Sequence, residues 1–174
     1  MATKAFKALT QKDKHTVGNI TSSHKYIQDI PNGVLFTEDV DNFHLVELSY
    51  NAEGERVAKG LTDVKKEAFL VASVERRHLN EDIIEFYNAK DERGRIVIPT
   101  RGLRFDVSAF ALNTGVTVIK AGLSAHYNVA TKKYLIHDGT HEDFASASVK
   151  FEVASNEDNL EYTLGAPMIR LEIK

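Results

Sequence analysis

The sequence predicts a mainly β protein, an antiparallel β-sandwich or a small barrel with one short helix over about residues 79–88 and an extended N-terminal arm. Apolar and polar residues alternate along several segments, most regularly over 149–153 and 169–174. Turn-forming residues separate about eight such segments at roughly ten-residue spacing, which is typical of sandwiches and barrels. The length of 174 residues and the 43% apolar content fit a single domain with a real core.

The first half of the chain contains the first predicted strands. A turn at Pro31-Asn32-Gly33 precedes them. The segment 43–50 is rich in β-formers and is followed by a hairpin-like connection and a short return over 56–58. The apolar run 67–74 is typical of a strand buried on both faces.

One segment has helical rather than strand periodicity. In LNEDIIEFYN the apolar residues recur at roughly helical spacing, Asn80 can cap the N-terminus, and Glu81 and Asp82 suit the first turn. This pattern predicts a helix of two to three turns over about residues 79–88.

Strands are again expected in the second half of the chain. They are predicted over 95–98, 104–112, 116–119, 133–136, 149–153 and 169–173, with breaks at glycines. In the last segment Ile169, Leu171 and Ile173 share one face, which predicts that this strand belongs to the core sheet.

Charge divides the chain into two predicted parts, an extended basic arm (1–30) and a β-rich domain (31–174). The arm holds five lysines and two aspartates, a net +3, which leaves −6 for the other residues of a chain with net charge −3. We expect the arm to order on an acidic partner surface. The candidate partner-binding residues are Lys4, Phe6, Lys7, Lys12, Lys14, Lys25 and Tyr26.

Composition argues against several classes of function. The absence of cysteine excludes disulfides, thiolate metal sites and thiol nucleophiles. No apolar run is long enough to span a bilayer and the N-terminus lacks a signal-peptide core, so we expect a soluble protein made without export. The slightly acidic balance argues against a dedicated nucleic-acid binder.

The densest set of potential metal ligands is the segment 137–143, with two histidines and three carboxylates. The spacing of His137 and His141 would need a helix to align both imidazoles, and Gly139 favours a loop. We therefore expect a polar surface loop and no metal site. His44 is expected on a sheet face. The sequence has no nucleophile elbow or phosphate-binding loop, so we expect no enzymatic activity and no cofactor.

The order of segments resembles small structural proteins of tailed bacteriophages. The resemblance lies in the start MATKAFKAL, in Asn32-Gly33-Val34-Leu35 before a strand, and in the blocks over 84–88 and 95–107. It is a similarity to proteins encoded beside major capsid proteins, which commonly act as decoration or cement proteins. The resemblance implies a non-enzymatic protein on the outer surface of a phage head that stabilises the capsid lattice.

The same resemblance implies the partners and the location. The partners would be the major capsid protein or other virion subunits, with a possible homo-oligomer and without specific nucleic acid or membrane. The protein would be made in the bacterial cytoplasm and reside in the virion. Three alternatives stay open: a tail-tube or head–tail connector protein, a carbohydrate-binding β-sandwich module, and a metal-dependent enzyme centred on His137 and His141.

Overall fold

The structure is a computed structural model that describes residues 15–75, 86–155 and 167–174, and it is mainly β. Two seven-stranded sheets hold the described strands, which are numbered here in chain order. The predicted mainly β class and sandwich architecture are confirmed. In the described part of the chain no helix is long and apolar enough to cross a membrane.

The first sheet contains the C-terminal strand near its centre. Its strands, in spatial order, are β1 (Gly18–Ile20), β9 (Arg104–Val107), β14 (Ile169–Ile173), β13 (Phe151–Val153), β11 (Ser124–Asn128), β12 (Lys133–His137) and β10 (Phe110–Leu112). All neighbouring strands are antiparallel except β10 and β12, which are parallel. Only Ser108 and Ala109 join β9 to β10, so the sheet curls until strands near its two ends are close together.

The second sheet is built mostly from the first half of the chain. Its strands, in spatial order, are β2 (Gln28–Asp29), β8 (Ile96–Ile98), β6 (Phe69–Val71), β4 (Leu45–Tyr50), β5 (Arg56–Gly60), β3 (Val34–Phe36) and β7 (Arg93–Gly94). Here too the sheet is mixed, because β3 pairs in parallel with β5. The predicted hairpin over 43–58 corresponds to β4 and β5.

Strand alternation explains how the second sheet is buried on both faces. Leu45, Leu70 and Val97 join the main core, which also contains Phe105, Phe151 and other residues of the first sheet. Their chain neighbours Val46, Val71 and Ile96 point the other way and form a smaller core with Val34 and Phe36. Because successive side chains of a strand alternate between faces, neighbouring apolar residues serve two different cores.

The C-terminal strand β14 confirms the alternation read from the sequence. Ile169 and Leu171 are fully buried and Ile173 is nearly so, whereas Arg170 and Glu172 are partly exposed. Between β9 and β13, the strand has a paired neighbour on each side. Its apolar face is therefore in the main core, as predicted.

Residues 15–30 lie with the two sheets. Strand β1 pairs with β9 and strand β2 pairs with β8. Gly18 permits this approach, because a Cβ there would meet the carbonyl of Asp106 and the ring of Phe43 at 2.6 Å. An extended arm is therefore confined to residues 1–14, which lie outside the described residues, and the domain division itself stays a prediction.

The helix predicted over about residues 79–88 is largely untested by the structure. Most of the helix expected over about 79–88 falls on residues 76–85, outside the described part of the chain. At its expected end, Asn88 pairs with Val40 in an isolated β-bridge. The structure has a 3-10 turn at His24–Tyr26 and a short helix, α1 (Glu142–Ser146). The sequence analysis missed α1 because its five residues are too few to show a helical period.

Candidate functional site

Five of the seven histidines lie in two groups that differ in their neighbours. We define the imidazole cluster as His126, His137, His141 and Asp143. We define the carboxylate cluster as His15, Asp41, His44 and Glu75. The first lies on the outer face of the first sheet, and the second lies where that curled sheet meets the segment before β4.

The imidazole cluster is formed by two paired strands and the helix that covers them. In β11, Ala125 and Tyr127 face the main core, so His126 points to the opposite face of the sheet. It is nevertheless fully buried, because α1 packs against β11. His137 at the end of β12 is also fully buried, and its ring contacts Phe144 of α1.

Hydrogen bonds assign the protons of the two buried imidazoles. The backbone N–H of Gly139 donates to Nδ1 of His137 at 2.9 Å. The proton of neutral His137 is then on Nε2, which lies 3.1 Å from Nδ1 of His126 and donates to it. The proton of His126 is therefore on Nε2, which has no hydrogen-bond partner among the described residues.

The environment keeps these imidazoles neutral. Burial, with repulsion from His141 and His137, lowers the pKa of His126 to about 4 despite the nearby Asp143. Burial and His141 lower the pKa of His137 as well. His126 and His137 are therefore uncharged at neutral pH.

The carboxylate cluster surrounds one imidazole with two acids. Nδ1 of His15 donates to Asp41 at 2.8 Å, and Asp41 also accepts from the backbone N–H groups of Thr16 and Asn42. On the other side of the ring, Nε2 of His15 lies 3.8 Å from Oε1 of Glu75. Asn42 donates its side-chain amide to Glu75 at 3.2 Å and fixes that carboxylate.

In the carboxylate cluster, the neighbouring acids raise the pKa of one histidine. Burial lowers the pKa of His15, but the hydrogen bond to Asp41 and the attraction of Asp41 and Glu75 outweigh it, so the pKa is raised. His44 differs from His15, because burial lowers its pKa to about 4. Its Nε2 lies 3.2 Å from the hydroxyl of Thr16. The cluster thus holds one imidazole that favours the charged form beside one that stays neutral.

A polar cavity of about 540 Å³ opens beside the carboxylate cluster. His15, Asp41 and His44 line it together with Lys132 and Lys133. Phe43, which precedes His44 in the chain, has a φ of 60°, in the left-handed region that non-glycine residues rarely adopt. Its carbonyl accepts a hydrogen bond from Tyr134 at 2.7 Å and its N–H donates to Val71, which together hold this conformation.

The structure describes two of the seven predicted partner-binding residues. Lys4, Phe6, Lys7, Lys12 and Lys14 lie outside the described residues. Lys25 is exposed on the 3-10 turn, with Nζ 4.7 Å from the centre of the Tyr26 ring. Tyr26 packs partly against the main core, and its carbonyl accepts from Thr100 at 2.6 Å. Tyr26 therefore anchors the turn, whereas Lys25 lies exposed beside it, and partner binding by both residues stays a prediction.

The prediction for segment 137–143 was partly wrong about exposure. Residues 138–140 are exposed, as expected for a surface loop, but His137 is fully buried. His141 caps the start of α1 by accepting from the N–H of Asp143. The sequence analysis missed His126, although pairing the strand 133–136 with an upstream neighbour would have placed a residue of that neighbour beside His137.

Among the described residues, one group brings three potential metal-ligand atoms together. One nitrogen of His126, one nitrogen of His141 and one oxygen of Asp143 lie within 4.8 Å of one another. The carboxylate cluster differs, because its acids are already engaged by His15, Asn42 and backbone N–H groups.

The comparisons with known proteins identify a protein of prophage origin. The family described as "YonC prophage protein" matches residues 11–174, and the chain belongs to that family. A relative is the SPbeta prophage-derived uncharacterized protein YonC of Bacillus subtilis (strain 168), which is 49% identical over 177 residues, covering 99% of this chain and 98% of the relative. No solved structure matches. The phage origin inferred from resemblance is confirmed, whereas the capsid role stays a prediction.

Proposed function

We propose that the chain is a non-enzymatic structural protein of a phage particle that binds the outer surface of the head and stabilises the capsid lattice. Its partners would be the major capsid protein or other virion subunits. Membership of a prophage family supports this proposal. So does a body in which most large side chains fill two apolar cores.

The observation that carries the proposal is where the positive charge lies. Residues 1–14 contain four lysines and one aspartate, a net +3, whereas residues 15–30 contain one of each sign. The whole basic excess of the predicted arm is therefore within the first 14 residues. A fully extended segment of that length spans about 46–50 Å, enough to reach a neighbouring subunit.

The structure provides a rigid base for such a segment. His15 and Thr16 are hydrogen-bonded to the buried Asp41. The next residue, Val17, exchanges hydrogen bonds with Ser108, since its N–H donates to the Ser108 hydroxyl and its carbonyl accepts from the Ser108 N–H. Tension on residues 1–14 would therefore be transmitted to β1 and the first sheet.

A co-sedimentation experiment with phage heads tests the proposal. Heads are produced from a prophage that lacks this gene, and the purified full-length chain is added back. Deleting residues 2–14 should weaken binding at least tenfold, because the basic segment is lost. Replacing Lys4, Lys7, Lys12 and Lys14 by Gln should weaken it less, and more visibly at low salt, because exposed charges are screened within roughly 10 Å at 0.1 M.

The matched control changes the same amount of charge on the body. Lys65, Lys90, Lys120 and Lys133 are exposed in the structure, and their replacement by Gln should leave binding unchanged. Equal binding by the full-length and truncated chains would remove the arm from the mechanism. Absence of binding by either chain, with ring formation by the protein alone, would favour a tail-tube or connector role.

A further inference from the structure

We propose that His126, His141 and Asp143 form a binding site for one divalent transition-metal ion, with Zn²⁺ as the expected occupant and His137 as the residue that positions His126. The site would join β11 to the start of α1. The inference is independent of the proposed head-binding function.

The starting observation is a buried nitrogen without a partner. The side chain of His126 is fully buried, yet Nε2 has no hydrogen-bond partner among the described residues. Oδ2 of Asp143 lies 4.0 Å away, beyond hydrogen-bond distance. Buried polar atoms are nearly always paired, so an unpaired nitrogen aimed at a carboxylate suggests a missing occupant.

The geometry requires only a modest closure around a metal. The three ligand atoms lie within 4.8 Å of one another. Nδ1 of His141 is 4.0 Å from Oδ2 of Asp143, and as a ligand it would give up the hydrogen bond that it accepts from the Asp143 N–H. Zinc–nitrogen distances of about 2.0–2.1 Å place tetrahedral ligands roughly 3.3 Å apart. The ligands must therefore approach by about 1 Å.

The approach can come from His141 and Asp143, whose side chains are more exposed than that of His126. His126 is held within β11, whereas the side chains of His141 and Asp143 are 22% and 49% exposed. Both lie at the start of the five-residue helix α1, beside the exposed loop 138–140. This partly open side also provides a route by which the ion can enter.

The donor atoms select the class of metal. Two imidazole nitrogens and one carboxylate oxygen suit Zn²⁺ and related first-row ions, whereas Ca²⁺ and Mg²⁺ prefer oxygen ligands. Three protein ligands would leave a fourth position for water or for a group from a partner.

Binding through Nε2 of His126 requires a coupled change of tautomer. The proton of His126 must move to Nδ1, where it donates to Nε2 of His137, reversing the 3.1 Å hydrogen bond. His137 then carries its proton on Nδ1, and the N–H of Gly139 loses its acceptor. Gly139 is exposed, so water can replace that acceptor. The two histidines together keep two protons, so this pair releases none.

This inference departs from our expectation that the segment 137–143 holds no metal. That expectation required His137 and His141 to be ligands on one helix. In the structure one ligand nitrogen belongs to His126 on a different strand. His137 is hydrogen-bonded to the other ring nitrogen of His126. Such support is common, because the second nitrogen of a metal-bound imidazole usually has a fixed hydrogen-bond partner.

Zinc titration of the chain tests the site. The full-length protein, prepared without added histidines and stripped with a chelator, is titrated with Zn²⁺ in a calorimeter at pH 7.5. We expect one site per chain. His141→Ala and Asp143→Asn should each weaken affinity at least tenfold. Glu142→Gln and His24→Ala remove an exposed neighbour and an exposed histidine, and they should bind as the wild type does.

A second measurement does not depend on any variant. Long-range nitrogen–proton NMR spectra report the tautomer of each histidine, and Zn²⁺ should move the proton of His126 from Nε2 to Nδ1 and that of His137 from Nε2 to Nδ1. Stoichiometric binding with both changes supports the proposal. The proposal is overturned by the absence of a one-per-chain site, by wild-type affinity in His141→Ala, or by unchanged tautomers at saturating Zn²⁺.

Discussion

The imidazole cluster and the carboxylate cluster each bury a histidine, but they shift its pKa in opposite directions. His126 is surrounded by His137 and His141, and its pKa is lowered to about 4. His15 lies between Asp41 and Glu75, and its pKa is raised although it is equally buried. Burial alone favours neutral histidine, so the neighbours decide the charge. One group therefore holds two buried imidazoles in the neutral form, whereas the other holds an ion pair that fixes the segment before β1.

Removing Asp41 should have the largest effect, because it would leave the buried His15 without its main partner. We expect Asp41→Ala to lower the free energy of unfolding by about 3–5 kcal/mol, the range for breaking a buried pair. Denaturant unfolding measures this loss. Asp138→Ala, which changes an exposed carboxylate, should cost less than about 1 kcal/mol. Similar losses in both variants would show that the ion pair is not a structural element.

A core substitution provides a reference that has no charge. Leu171→Ala should cost about 2–5 kcal/mol, the usual range for a buried leucine. Leu112→Ala in the edge strand β10, where the side chain is 39% exposed, should cost less than about 1 kcal/mol. The Leu171→Ala loss should be the same at every pH between 5 and 9. A wild-type unfolding midpoint in Leu171→Ala would contradict the core position of β14.

Acid should weaken the imidazole cluster. The pKa of His126 is near 6.5 in the unfolded chain and about 4 in the folded one, so its contribution is complete above pH 6.5 and declines as pH falls toward 4. The free energy of unfolding should lose about 3 kcal/mol from this group between pH 7 and pH 4. Comparing unfolding of the wild type and His126→Phe at both pH values isolates this loss.

The control for the acid experiment is His24→Phe, on the exposed 3-10 turn. Its pH profile should follow the wild type. His44 contributes to the same acid loss, since its pKa is also lowered to about 4, so His126→Phe should remove only part of it. An unchanged acid loss in His126→Phe would mean that the imidazole cluster is not kept neutral by folding.

Base should weaken the carboxylate cluster, with a smaller effect. The folded pKa of His15 is above its unfolded value, so its contribution is complete below pH 6.5 and is lost as pH rises through the folded pKa. In His15→Gln, stability should fall less between pH 6 and pH 9 than in the wild type, as measured by denaturant unfolding. Parallel profiles over this range would contradict the charged state of His15.

The features predictable from the sequence are those that depend on residues close together in the chain. The alternation in β14 and the hairpin of β4 and β5 were predictable because strand faces repeat every second residue. The two histidine clusters were not predictable, because their members are distant in the chain and come together only in the folded structure. His15 and Asp41 are 26 residues apart, and His126 is buried by a helix too short to have a period. The parallel pairs β10–β12 and β3–β5 likewise join segments that are distant in the chain, so no local pattern predicts them.

The most direct test of the opposite charge states is an NMR titration of the histidine ring signals in the full-length wild-type protein. The signals of His15 and His126 are assigned with His15→Gln and His126→Phe and followed from pH 4 to pH 9. We predict that His126 stays neutral until the pH approaches 4 and that His15 loses its proton only above pH 6.5. Titration of both near pH 6.5, or in the reverse order, would contradict it.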